Sequence, residues 1–233
     1  MGKVIIQEET SLKPVTLIGK EAGICWGANT EDDKKNYKRG MDCILSGHGR
    51  TMEYPQIYMV LEGYSARVIR ELYTHIAGGP TRLQASTRYI DYSKNGGFEY
   101  IIPPQIGKNE EAQKKYVEAM KYINDVCASL EHDYNIPRED AAMLLPLGMT
   151  SKIVLRTNLR NLIDMAHQRL CTRAYWEFRQ LMTDIIDALV EYGSASDVNE
   201  WEQLKTFFVP KCEVVGFCIE AKCCGRKPQK RDM

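Results

Sequence analysis

The chain has 233 residues, long enough to bury a real core, and its 31 Lys and Arg balance 31 Asp and Glu. That neutrality supplies no global field to steer the protein toward nucleic acid or a membrane surface. No apolar run approaches the roughly 20 residues that span a bilayer, and Glu8 and Glu9 stand where a secretory signal would carry its apolar core, so a cytoplasmic protein with neither nucleic-acid nor membrane partners is expected.

Short strands are expected over 3–7 and 14–19, followed by a helix capped by Asp32 or Asp33 and running to about Leu45. "PQIYMVLEG", from Pro55 to Gly63, is rich in β-formers and predicts a strand. Ser65 is placed to cap a helix through Ile76, with Val68, Ile69 and Leu72 on one face. The stretch "THIAGGPTRLQASTRYIDY" (74–92) suits neither helix nor strand. Its histidine, two arginines and several hydroxyls make it a donor-rich loop, the kind that receives an anionic ligand.

"FEYIIPP" predicts a further strand closed by Pro103 and Pro104. Residues 108–134 form a long amphipathic helix, and Pro137 opens another at its first turn. "SKIVLRT" alternates as a strand, "NLRNLIDMAHQRL" and "WEFRQLMTDIIDALVEY" are helical, and Asp197 opens a last helix to about Phe208. The pattern predicts one α+β domain over 1–210, with a small mixed or antiparallel sheet and long helices, then a Cys-rich basic tail over 211–233.

Of eight cysteines, Cys25, Cys43, Cys127 and Cys171 lie among apolar neighbours and read as reduced, small hydrophobes. Cys212, Cys218, Cys223 and Cys224 crowd the tail, at gaps of five and four residues and then an adjacent pair. Structural zinc sites usually space paired cysteines by about two to four residues. A tail of reduced, non-catalytic thiols is expected, with zinc as the alternative and no metal elsewhere.

Around the helix from Asn158 to Leu170, Leu159, Leu162, Ile163, Met165, Ala166 and Leu170 make one apolar arc, and Arg160, Asp164 and His167 lie opposite. Arg169 falls at the edge of that arc, either snorkelling out of a core or held partly buried by a ligand. His48 and Glu53, in the Gly-flanked loop "SGHGRTMEY", suit acid–base or metal work as well as a plain surface turn. "GGP" at 78–80 is a weak phosphate-cradle signal, and there is no GxGxxG or P-loop lysine motif.

Three blocks, over roughly residues 20–192, together resemble the flavin-dependent thymidylate synthases. "GHGRTMEY" is similar to that family's His-Gly-Ser-x-x-Glu-His element, and "YTHI…QASTRY" to its Arg-His-Arg, seven residues, Ser signature. "LLPLGMTSKIVLRTNLRNLIDMAHQRLCTRAYWEFR" is similar to its long Leu-Pro to Gln-Trp-Glu block and is the most specific of the three. The resemblance implies an α+β homotetramer with sites at subunit junctions. It implies FAD as cofactor and dUMP as substrate, with methylenetetrahydrofolate and NADPH as co-substrates. No enzyme nucleophile attacks the pyrimidine in that reaction.

Carried over residue by residue, the resemblance makes Arg169 the arginine beside the uracil. Ser86 and Arg88 grip dUMP, within a run that includes Gln84, Ala85 and Thr87 and has Glu71 and Arg82 beside it. The triplet Thr74, His75 and Ile76 falls at the flavin and nucleotide, with Gln84. Asn158, Arg160 and Asp164 match flavin positions, His48 and Arg50 lie on the folate and flavin face, and Glu53 is the carboxylate of the first block. Thr74 and Ile76 stand where the signature has arginines, Gln84 where it has glutamate, Glu71 where glutamine precedes it, Ala142 for an arginine and Asp164 for an asparagine. Arg50 and Arg82 are expected to replace two of the lost cations. Hydroxymethylation of another pyrimidine nucleotide, and a non-catalytic nucleotide- or metal-binding relative, are the alternatives.

Overall fold

The structure, a computed structural model, describes residues 2–232. Met1 and Met233, at the outer ends of the expected domain and tail, lie outside the described residues, as do the side chains of Asn95 and Asp232. In chain order the elements begin β1 (Lys3–Ile6), α1 (Pro14–Cys25), α2 (Asp33–Leu45), β2 (Gln56–Ser65), α3 (Ala66–Leu72) and β3 (Thr81–Gln84). They continue with α4 (Pro104–Gly107), α5 (Glu110–His132), α6 (Arg138–Ala141), β4 (Thr150–Asn158), α7 (Leu159–Arg169), α8 (Trp176–Ser194), α9 (Glu200–Leu204) and α10 (Lys211–Val215). The strands form one small antiparallel sheet in the order β1-β2-β4-β3, and the fold is α+β as the sequence predicted. Alternation sets the buried face: Ile57, Met59 and Leu61 in β2, and Ser151, Ile153, Leu155 and Thr157 in β4.

The chain divides into two compact units. One comprises residues up to 3, 61–74 and 83–153. Within it Ser65 caps α3, its hydroxyl accepting from Val68 N–H at 3.2 Å. The next amides of α3, Ala66 and Arg67, donate to the carbonyls of Met149 and Leu147 at 2.8 and 3.0 Å, so little of this helix start is left unsatisfied. Phe98, Met120 and Met149 form a core with Tyr92, Tyr100, Tyr116 and Ile123 packed against it, under one face of α5. The expected strand at "FEYIIPP" is only a bridge between Tyr100 and Met149, because Pro103 and Pro104 end the pairing at once.

The other unit comprises 4–60, 75–82 and 154–233. The expected strand over 14–19 is instead the start of α1. Lys13 gives it no side-chain cap, but the buried Glu200 carboxylate does, accepting from Val15 N–H at 2.7 Å, Thr16 N–H at 3.0 Å and the Thr16 hydroxyl at 2.5 Å. A carboxylate at a helix N-terminus also answers its dipole. Helices α1 and α2 cross backbone to backbone: a Cβ on Gly19 would stand 1.7 Å from the Asn36 carbonyl oxygen. In α8, Phe178, Leu181, Met182, Ile185 and Leu189 recur at helical spacing and are fully buried.

Two further boundaries moved. Helix α3 stops at Leu72 rather than Ile76, and the last expected helix begins at Glu200, behind Asn199, rather than at Asp197. Asp197 takes a positive φ of 55°, which is a turn conformation.

Candidate active site

The loop after α3 holds His75, the one buried histidine among the described residues, 8 % exposed. Arg169, the last residue of α7, donates through Nε to His75 Nε2 at 2.8 Å. A guanidinium is always a donor, so Nε2 must offer its lone pair and the ring proton sits on Nδ1. Burial first, then the charges of Arg169 and Arg82, depress the His75 pKa to about 4. His75 is therefore neutral at physiological pH.

Phe178 of α8 holds this pair from the side. The Arg169 guanidinium lies 4.5 Å over its ring centroid, and the His75 ring meets it edge-on at 5.6 Å and 62°. A cation over an aromatic face is worth about 0.5–2 kcal/mol, more as water is excluded. The half-buried position of Arg169, which the helical wheel left open between snorkelling and ligand-holding, is filled by an aromatic face and an imidazole acceptor.

From the other side, Arg82 donates to the His75 carbonyl. Arg82 is the second residue of β3, so the loop read as irregular contains a short strand, and its arginine folds back on its own loop. Gly78 sits at φ 72°, where a Cβ would meet the Asn158 amide at 2.5 Å. That amide donates to the Gly78 carbonyl at 3.2 Å, while its oxygen caps α7 by accepting from Asn161 N–H at 2.9 Å. Arg156 adds bonds to the Gly79 carbonyl at 3.2 Å and the Thr81 hydroxyl at 3.1 Å. Residues 75–82 are thus a glycine loop pinned by Asn158 and three arginines.

Arg160 is exposed and paired with Glu53 at 2.6 Å, with Gly49 packed against its guanidinium. His48 is exposed and meets Trp26 edge-on at 6.4 Å, while Arg50 and Asp164 are exposed. Ile76 is 75 % exposed, an apolar side chain in water where the family signature has a cation.

The other unit carries the rest of the expected set. Ser86 Oγ accepts from Arg88 N–H at 3.1 Å, and Arg88 is exposed and paired with Glu139 at 2.7 Å. Gln84 donates to the Ser151 hydroxyl at 3.3 Å, Ala85 N–H to the Lys152 carbonyl at 2.8 Å, and Thr87 is half-buried. Thr74 donates its hydroxyl to the carbonyl of Glu71 at 2.7 Å, which ends α3.

A cavity of about 480 Å3 is lined by His167, Arg169, Cys171 and Arg173 among others, and from the tail by Cys212, Cys218, Ile219, Glu220, Lys222, Cys224 and Arg226. The tail that composition sets apart thus forms a wall beside Arg169. His167, placed on the solvated face by the helical wheel, is half-buried here, and burial lowers its pKa. Cys171 also lines the cavity and Cys25 is exposed, so neither is a core hydrophobe; Cys43 and Cys127 are. Among the described residues no three His, Cys, Asp or Glu side chains are gathered to hold a metal. No helix among them is long and apolar enough to cross a membrane.

Sequence reasoning missed Phe178 and Arg156. Phe178 read as one more core residue of an amphipathic helix, whereas Arg156 was signalled by its outward position in the alternation of β4.

A family model described as thymidylate synthase complementing protein matches residues 9–192. A flavin-dependent thymidylate synthase of Nitratidesulfovibrio vulgaris is 32 % identical over 199 residues, covering 82 % of this chain and 76 % of that one. Another from Pyrococcus abyssi is 30 % identical over 210 residues, covering 87 % and 82 %. A crystal structure of the Helicobacter pylori enzyme complexed with FAD and dUMP superposes with a TM-score of 0.65 at 19 % identity, over 82 % of this chain and 96 % of that one.

Proposed function

This chain belongs to the flavin-dependent thymidylate synthase family, and we propose that it methylates dUMP to dTMP with FAD as cofactor. In the full proposal methylenetetrahydrofolate gives the carbon, NADPH the reducing equivalents, and a cytoplasmic homotetramer builds sites at its subunit junctions.

The observation that carries the reading is the Arg169–His75–Phe178 cluster. A pyrimidine becomes nucleophilic at C5 when negative charge develops around N3 and its carbonyl oxygens, and a poorly hydrated guanidinium fixed beside it stabilises that charge. His75 fixes the guanidinium by taking its Nε–H, and stays neutral, so the cluster's charge belongs to the arginine. Ser86 and Arg88 grip the nucleotide, Arg88 exchanging the exposed Glu139 for phosphate, since an exposed ion pair holds it by only about 0–1 kcal/mol.

The residues present fit a flavin. The loop 75–82 has two consecutive glycines at positive φ, with Asn158 and Arg156 already donating to it, a donor set suited to a pyrophosphate and a polar ring edge. Asn158, Arg160 and the loop would hold it, with His48, Arg50 and Asp164 at its rim. When bound, reduced flavin supplies the hydride that completes the methyl group.

The test is direct. Purified protein should bind FAD and turn yellow, dUMP should shift the flavin spectrum, and dTMP should form with methylenetetrahydrofolate and NADPH. A protein that takes up no FAD overturns the reading. A hydroxymethylated nucleotide, distinguished by product mass, would leave the family and change the reaction.

A further inference from the structure

The cavity beside Arg169 lies wholly within one of the two units and is lopsided in charge. Arg169, Arg173, Lys211, Lys222 and Arg226 line it against one carboxylate, Glu220, in a chain whose 31 cationic and 31 acidic side chains balance overall. Lys211 and Lys222 have no ion-pair partner among the described residues. Arg173 stands 3.4 Å from the Glu220 carboxylate, and both are well exposed, so a stronger anion can win that guanidinium. Arg226 is 3.9 Å from the Glu213 carboxylate, which Lys227 holds more closely at 2.9 Å.

Shielded walls back these charges. Pro210 and Cys218 are buried, and His167, Cys171 and Ala174 are half-buried. A cleft of one sign over low-dielectric walls focuses its field, so the cations act together on an anion inside. Lys211 makes its charge felt there: after burial, it is the main cause of the lowered His167 pKa.

The tail side of the cavity is also held in place. Cys218 N–H donates to the Pro228 carbonyl at 2.7 Å, Lys230 N–H to the Cys218 carbonyl at 2.9 Å, and the Gln229 amide to the Glu220 carbonyl at 2.7 Å. Within the turn between these ties, Cys223 Sγ donates to the Lys227 carbonyl at 3.2 Å and accepts from Gly225 N–H at 3.3 Å. Lys222 and Arg226 are thus presented by a fixed segment, which spares a ligand part of the cost of ordering them.

We propose that this cavity binds a small oligophosphate, a short chain of linked phosphate groups either free or carried by a nucleotide. Five cations and one carboxylate leave a surplus of four positive charges. A lone phosphate brings about two negative charges at most, so linked phosphates answer the surplus better than one. The planar forks of Arg173 and Arg226 suit phosphate oxygens, and the lysines add point charges. At about 480 Å3 the cavity has the size of a small-molecule site. His167 is the only ring in its lining, so it offers no stacking platform and the phosphates, not a base, are what it recognises. The site is separate from the proposed nucleotide grip and flavin loop, because Ser86, Arg88 and residues 75–82 do not line it. Its tail wall lies beyond residue 192, where the family match ends.

The experiment titrates tripolyphosphate into the full chain by calorimetry at low salt, beside inorganic phosphate and ATP. Expected is one tripolyphosphate per chain, bound tighter than inorganic phosphate by about ten-fold or more. ATP binding as tightly as tripolyphosphate would make a nucleotide the carrier, and weaker ATP binding a free oligophosphate; both outcomes keep the site. The double variant Lys222→Gln, Arg226→Gln should weaken tripolyphosphate by about ten-fold or more, while Arg88→Gln and Arg156→Gln leave it unchanged. In the parent protein, tripolyphosphate should shield Lys211 and Lys222 from acetylation, mapped by peptide mass, while the exposed Lys121 reacts as before. Absence of binding, affinity no better than for inorganic phosphate, a loss confined to the Arg88 or Arg156 variants, or unshielded Lys211 and Lys222 would each overturn the proposal. Binding rather than turnover is measured, so failure here and failure of the thymidylate reading are distinguishable.

Discussion

Arg169 donates to His75 across 2.8 Å and 94 positions of sequence, and the direction of that bond decides the protonation state of the histidine. Its pKa near 4, against an ordinary 6.5, carries a signed consequence. Between those values the unfolded chain binds a proton that the folded chain refuses, so stability falls as pH drops through this window and levels off below about 4. The full loss is about 3 kcal/mol. Denaturation at pH 7 and pH 4.5 should show His75→Gln losing clearly less stability than the parent, since glutamine still accepts from Arg169 but does not titrate. His167 titrates in both proteins and cancels. Equal losses would mean that His75 is not held neutral.

Glu200 is the second long-range device. Truncation to Ala leaves two buried amides and a hydroxyl at the start of α1 without their acceptor, which costs about 3 kcal/mol. For a chain of this size that lowers Tm by about 6–12 °C. Glu200→Gln, which keeps one acceptor, should lose less, and a melting curve for Glu200→Ala within two degrees of the parent would contradict the capping role.

These two contacts mark the limit of what the sequence discloses. Helix α7 was legible because its signals are local: Asn158 caps it and its apolar residues recur at helical spacing. Helix α1 was misread as a strand because its cap lies 184 and 185 positions away, leaving only the apolar run "PVTLIG" to judge. Strand β3 was hidden because three of its four residues are exposed and carry no alternation. The candidate site residues were named through three motif blocks, two of them short and the third long, each contiguous or nearly so in sequence. Their mutual contacts, and the tail's place beside Arg169, depend on tertiary packing that no motif encodes.

The tail is where the structure changes an expectation. Its thiols were expected to be non-catalytic, and several tail residues, Cys212, Cys218, Glu220 and Arg226 among them, wall the cavity that Arg169 lines. Truncation after Pro210 should raise KM for dUMP by roughly ten-fold, equivalent to about 1.4 kcal/mol, with a smaller effect on kcat. Unchanged steady-state constants in the truncated protein would return the tail to a passive role.

Arg50 and Arg82 are proposed to stand in for two of the cations missing from the signature, and the structure gives them different settings. Arg82 is half-buried and spends a donor on the His75 carbonyl, whereas Arg50 is exposed beside His48. Arg82→Ala should therefore cost more, about 1.5–3 kcal/mol in FAD or dUMP affinity, and also loosen His75. Arg50→Ala should weaken binding less and more strongly at low salt than at high. Titration of both ligands into each variant settles it, and unchanged affinities in both would end the idea of compensation.

Arg169 itself is the decisive test. Its guanidinium is pressed on Phe178 and oriented by His75, so water screens it poorly and its field on the pyrimidine proposed beside it would be strong. Arg169→Ala removes one preorganised charge and should lower dTMP formation by a factor of about 10² or more. The fold should survive, because the residue ends α7 and is half-buried rather than part of the core. Arg169→Lys restores the charge but not the planar fork that donates to His75 while facing a ligand, so it should recover little. A parallel readout separates chemistry from architecture: the imidazole of His75 loses a cationic neighbour in Arg169→Ala, and its pKa should rise, visible as a shift in its NMR titration. Turnover by Arg169→Ala within a few-fold of the parent, together with a shifted His75 titration, would show the contact to be real and the arginine to be structural only.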